Sequence, residues 1–119
     1  CSMNCSLTID LDTPSESLEK DLIRLDALWQ EGLETFDGPW LAGDAFTAVD
    51  AMFAPVAVRL RGYGIELGTA AMAYAERLLA HPAVAEWIEQ GIAEPWVDEP
   101  HEIDCIRDRR VLADRRQPA

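Results

Sequence analysis

Between Ala45 and Val58 the chain carries one charged side chain, Asp50, in a run that is otherwise mostly alanine, valine, methionine and phenylalanine. A carboxylate can be buried only where donors converge on it. Its spacing from Thr47 supplies them. In Thr47-Ala48-Val49-Asp50 the threonine hydroxyl can accept from the backbone N–H of Asp50, and the carboxylate can reach back to the N–H of Thr47. Phe46 ahead of the cap and Ala51 behind it leave room for a small hydrophobic staple. The carboxylate also faces the positive end of the helix dipole. A cap of this kind is worth about 1–2 kcal/mol. The feature therefore predicts a helix over about 48–61, opened by the structural capping box Thr47 and Asp50.

That helix is apolar almost all round, which predicts a central helix packed on every side. Pro55 inside it removes the hydrogen bond to the Ala51 carbonyl and predicts a kink. Arg59 and Arg61 sit in the last turn, where cations suit the dipole, and Gly62-Tyr63-Gly64 ends it.

Three more helices surround it in sequence. Over about 14–36, Leu18, Leu22, Leu25, Trp29, Leu33 and Phe36 recur at helical spacing, and Ile23 and Leu28 widen the stripe. A stripe this wide can serve two partners, a core and a second chain. Thr13 reads as its N-cap, Pro14 as its first residue and Glu16 as the closing member of a capping box. A helix over about 69–80 turns Met72, Ala75, Leu78 and Leu79 inward. His81-Pro82 then breaks the chain and opens a helix over about 82–93, with Val84, Trp87, Ile88 and Ile92 on one face. Residues 1–12 look extended or irregular, and "LTIDL" is a weak candidate strand. Residues 98–119 read as a charged C-terminal tail, with "IRDRRVLADRR" a short charged helix or a solvated arm. The pattern predicts an all-α fold, a helical bundle around a buried central helix, occupying residues 1–97.

A chain of 119 residues fits one domain. Its formal net charge of −12 repels phosphate, which argues against nucleic acid and against an anionic membrane surface as partners. Cys1, Cys5 and Cys105 are odd in number and lack metal-ligand spacing, so they read as reduced thiols of a cytoplasmic protein. "CSMNCSLTIDLD" has no basic leader region.

The candidates for chemistry each have a plainer reading. His81 reads as a helix cap, and His101 as a residue of an acidic segment without convergent metal ligands. Cys5 has no nearby histidine or helix start to activate it. Trp29, Trp40, Trp87 and Trp96 read as core or interface anchors. Asp50 reads as a cap before it reads as a general base. No catalytic residue and no metal site emerge. Arg61, Tyr63 and Trp96 remain as candidates for a pocket wall.

The segment "WLAGDAFTAVDAMFAPVAVRL" resembles the signature of the C-terminal helical domain of cytosolic glutathione transferases. There a W-L-x-G loop leads into a Ser/Thr-x-x-Asp box that opens the buried core helix. The matching residues are Trp40, Leu41, Gly43, Thr47 and Asp50. "HPAVAEWIEQG" is similar to the following P-x-V-x-x-W helix, at Pro82, Val84 and Trp87, and "FAPVAVRLRGYGI" resembles bacterial members. The resemblance spans about residues 13–97. It implies a parent enzyme that conjugates glutathione, its co-substrate, to electrophilic small molecules in detoxification. It implies an N-terminal thioredoxin-like domain as partner, and a homodimer. Neither that domain nor the first helix of the second domain is present, so the chain reads as a fragment, inactive alone, that supplies domain core, acceptor-pocket wall and dimer support. The alternative is a non-enzymatic protein–protein assembly module built on the same helical domain.

Overall fold

A computed structural model describes residues 1–117. The order is β1 (Leu7–Asp10), α1 (Glu16–Thr35), α2 (Ala48–Gly62), α3 (Thr69–Ala80), α4 (Pro82–Ala93), α5 (Glu99–Ile106) and β2 (Arg110–Asp114). The fold is mostly helical, with one antiparallel strand pair joining the two ends.

The α2 helix is capped by Thr47, starts at Ala48 and runs unbroken through Pro55. Its end is a Schellman motif. The Ile65 N–H bonds the Leu60 carbonyl at 2.9 Å and the Gly64 N–H bonds the Arg61 carbonyl at 3.2 Å, with Gly64 at φ 62. Ala54, Ala57, Val58 and Leu60 are buried. The α3 helix packs on α2 through Ala71, Tyr74, Ala75 and Leu78. Small residues on both helices (Ala54, Ala57, Ala71, Ala75) let the backbones approach closely. Trp29, fully buried, is the α1 residue at the centre of the core. Its ring meets Phe53 and Tyr74 edge-on, with centroids 5.5 and 4.9 Å apart.

The α2 helix is not packed on every side. Met52 is 77% exposed and Val49 is also open to solvent, because nothing among the described residues covers the outer flank of the first turn. In α1, Leu18, Leu22, Leu25 and Leu33 pack partly against the core, while Ile23, Leu28 and Phe36 face solvent. Phe36 is the C-cap residue, past the end of the regular helix, so it leaves the stripe. The N-cap of α1 is Ser15 and not Thr13. The Ser15 hydroxyl accepts from the Leu18 N–H at 3.2 Å, and Glu16 begins the helix.

The C-terminal segment departs most from expectation. The described part is neither a solvated arm nor a helix over "IRDRRVLADRR". Residues 99–106 form α5 and residues 110–114 form β2, while 118–119 of the expected tail lie outside the described residues. β2 pairs antiparallel with β1, Leu7 opposite Asp114 and Ile9 opposite Val111, with an irregularity between Thr8 and Ile9. The weak "LTIDL" candidate is thus a strand, its Leu7 and Ile9 buried on one face. Cys105 of α5 is fully buried in the same core. Alternating apolar positions in a short charged segment could not be told from noise until a partner strand was at hand.

Candidate functional site

The most densely bonded side chain is Asp50, fully buried at the start of α2. Its Oδ2 accepts from the Thr47 N–H at 2.9 Å and, weakly, from the Thr47 hydroxyl at 3.4 Å. Its Oδ1 accepts from the Leu41 N–H at 3.1 Å and the Tyr74 hydroxyl at 2.7 Å. Thr47 and Asp50 form the capping box, in which the return bond from carboxylate to Thr47 is the strong half. The Asp50 N–H also bonds the Thr47 carbonyl at 3.1 Å. One carboxylate thereby ties three pieces together: the start of α2, the turn at 40–43 and the middle of α3. Burial pushes the Tyr74 phenol well above its ordinary pKa, and the bond to Asp50 adds to this. It stays a hydroxyl donor.

The turn itself is tight. Trp40 and Gly43 exchange backbone bonds of 3.1 and 3.3 Å, and a Cβ on Gly38 would lie 1.8 Å from the Gly43 carbonyl oxygen. Trp40 meets Phe46 and Tyr74 edge-on, and His81 stacks on Phe46 with centroids 4.0 Å apart. His81 also caps α4, its Nδ1 accepting from the Ala83 N–H at 3.3 Å. His101 lies on the surface beside Asp98, with Nδ1 3.0 Å from Oδ1.

Two cross-links span long stretches of sequence. Tyr74 lies on the inner face of α3, where Ala71, Tyr74, Ala75 and Leu78 form an i, i+3, i+4, i+7 set. That periodicity was available in the sequence. Asp26, on α1, accepts from the Gly68 N–H at 3.0 Å and so satisfies a donor at the start of α3, 42 residues away. No local signal marks it.

The three candidate wall residues do not share one pocket. Tyr63 lines a cleft of 670 Å³ between β1, the first half of α1 and the turn after α2. Its hydroxyl donates to the Ser2 carbonyl at 2.8 Å, and the Arg109 guanidinium lies 5.5 Å from its ring centroid. Burial raises its phenol pKa, and Cys105 adds to the shift. Trp96 lines a separate cleft of 280 Å³ with Cys5 and Trp87. Arg61 is exposed, and its charge acts on Cys5. Burial raises the Cys5 thiol above its ordinary pKa, outweighing the pull of Arg61 and Arg115. A raised thiol is the opposite of an activated one. Among the described residues no group of three or more histidine, cysteine, aspartate or glutamate side chains could hold a metal ion. No helix among them is long and apolar enough to cross a membrane.

What the arrangement offers instead is a surface. Leu28, Phe36, Val49 and Phe53 line an apolar groove of 390 Å³ between α1 and α2, and Met52 stands exposed beside Val49 on the α2 side. The Asp50 network holds the α2 side of that groove in place.

Residues 15–90 match the family model described as glutathione S-transferase, C-terminal domain. The chain belongs to this family. The match starts at Ser15, the N-cap of α1, and reaches into α4, so the glutathione S-transferase C-terminal domain here is the four-helix part built around Asp50. β1, α5 and β2 lie outside the match. No curated protein and no solved structure matches the chain.

Proposed function

We propose that this chain is the helical support of a glutathione transferase, the part that docks a thioredoxin-like domain and walls the acceptor pocket. In the whole enzyme the glutathione thiolate attacks an electrophilic carbon, a C–S bond forms and the leaving group departs. Thiolate formation is the work of the thioredoxin-like domain. The observation that carries this reading is the family match, joined to an apolar α1–α2 groove that this chain leaves open. A homodimer in the cytoplasm belongs to the same reading.

The test compares two proteins. One is this chain, and the other is the product of the intact reading frame from which it comes. Each is assayed for retention on immobilised glutathione and for turnover of glutathione with an aryl chloride. The chain alone gives background turnover, and the full product binds and turns over. A full product with no thioredoxin-like domain and no glutathione retention overturns the proposal and leaves the assembly module in its place.

A further inference from the structure

Residues 1–12 and 94–117 bond densely to each other and sparsely to the four-helix part between them. The Ser2 hydroxyl meets Asp104, and the Cys105 thiol donates to the Ser2 carbonyl at 3.5 Å. The Arg115 N–H bonds the Ser6 carbonyl at 2.8 Å, Arg110 pairs with Asp10 at 3.0 Å, and β1 ladders with β2. Arg116 ties Glu102 of α5 to Asp114 of β2. Among the described residues only two hydrogen bonds cross from this terminal unit to residues 13–93. Arg59 Nε donates to the Cys1 carbonyl at 3.0 Å, and the Tyr63 hydroxyl donates to the Ser2 carbonyl at 2.8 Å. No ion pair among the described residues crosses.

The apolar attachment is narrow as well. The unit places Leu7, Ile9 and Cys105 fully in the core. Cys105 is the one buried residue of α5, and Arg110 to Ala113 of β2 are all exposed. The crossing bonds converge on the last turn of α2 and its cap, where the Arg109 guanidinium also lies 5.5 Å from the Tyr63 ring centroid. The other end of the unit has no such tie. There Asp10, Leu11 and Leu112 face Leu22, Ile23 and Ile65 across the 670 Å³ cleft, which is the seam between the two parts. Segments with few buried apolar contacts and few cross-links open below the free energy of global unfolding.

We propose that this terminal unit is a clasp. It opens as one piece while the four-helix part around Asp50 stays folded, and the Ser2 carbonyl held by Tyr63 is its latch. Opening removes the wall of Ile9, Leu11 and Leu112 from the cleft and bares the helical wall of Leu22, Tyr63 and Ile65. The whole clasp lies outside residues 15–89 except for its link at the end of α4, so it is an addition to the family's helical part. This device goes beyond the transferase reading and does not depend on it.

The experiment follows Cys105 in the whole chain, with exposed Cys1 as internal control. Iodoacetamide is added under native conditions and peptide mass spectrometry times the labelling of each thiol. Amide hydrogen exchange of α2 and α3 is followed in parallel. Cys105 labels more slowly than Cys1, and its labelling depends less steeply on urea than exchange in α2 and α3, because clasp opening exposes less surface. Tyr63→Phe speeds Cys105 labelling roughly two- to tenfold, the worth of one hydrogen bond. Tyr74→Phe loosens the four-helix part through Asp50, so it speeds exchange in α2 and α3 and leaves Cys105 labelling unchanged. Equal urea dependence for Cys105 and for α2 and α3 overturns the proposal without recourse to either variant. So does a Cys105 that labels as fast as Cys1, one that speeds up in Tyr74→Phe by the same factor as α2 and α3, or one unmoved by Tyr63→Phe.

Discussion

Replacing Asp50 by alanine removes the acceptor from two buried donors, the Leu41 N–H and the Tyr74 hydroxyl, and from the part-buried Thr47 N–H. Each unsatisfied donor costs about 1–3 kcal/mol. The void left by the carboxylate can admit a water that recovers part of this. The net loss is therefore about 3–5 kcal/mol, a large share of the 5–15 kcal/mol typical of a domain. For a domain of this size that is a fall in Tm of roughly 10–25 °C. Asp50→Asn keeps one oxygen for Leu41 and Tyr74 but turns an amide NH2 toward the Thr47 N–H, so it costs about half as much. Urea denaturation followed by circular dichroism gives both values. Tyr74→Phe in the Asp50→Ala background tests the network directly, with a coupling energy of at least about 1 kcal/mol expected. A loss under about 1 kcal/mol in Asp50→Ala, or an asparagine variant as unstable as the alanine one, refutes the argument that convergent donors hold this charge.

Gly38→Ala places a methyl group 1.8 Å from the Gly43 carbonyl, which forces the turn open and costs about 2–4 kcal/mol by the same denaturation assay; a neutral outcome means that the turn is not rigid. Alkylation of Cys5 by a thiol reagent, followed by peptide mass spectrometry, keeps accelerating as pH rises past 9.0, because burial holds the thiol protonated; a plateau below that pH contradicts the burial argument. Tyr74 and Tyr63 both have pKa values raised by folding, so the folded state holds their protons more tightly than the unfolded one. Their contribution is fully present below about pH 10 and is lost as pH rises further. Tyr74→Phe therefore flattens the alkaline fall in stability, and an unchanged alkaline slope in that variant counts against the burial that raises the Tyr74 pKa.

The helices were legible because each rests on a local device. Thr47 and Asp50 lie three residues apart, His81-Pro82 is a break that also caps, and leucines repeat along α1. The α1 start was misplaced by two residues because Thr13-Pro14 and Ser15 offer competing caps, and Ser15 is the one whose hydroxyl reaches a free N–H three residues on. The losses came where a residue's partner is distant in sequence. Asp26 and Gly68, Tyr74 and Asp50, and Leu7 and Asp114 are separated by 42, 24 and about a hundred residues. For the terminal ribbon, each strand alone is four or five residues long, too short for period-two alternation to stand out from its charged surroundings. The wall residues failed differently. Arg61, Tyr63 and Trp96 were grouped by residue type and by nearness to helix ends, and neither property determines which cleft a side chain lines.

The chemistry of the tyrosines bears on where a thiol could be activated. A phenol that stabilises a thiolate must keep its proton and point its hydroxyl at the sulfur. Tyr63 and Tyr74 meet the first condition, since burial raises both pKa values. They fail the second. The Tyr63 hydroxyl is spent on the Ser2 carbonyl and the Tyr74 hydroxyl on Asp50, and both side chains are closed off from solvent. Releasing Tyr74 would leave the buried Asp50 short of a donor, so the bond that makes the domain stable also removes this hydroxyl from chemistry. The same holds for Cys5, whose thiol is held protonated where a nucleophile would need to ionise. None of Tyr63, Tyr74 and Cys5 is therefore free to activate a thiol in this structure. What the bond between Tyr74 and Asp50 supplies instead is the fixed position of the start of α2, one side of the α1–α2 groove.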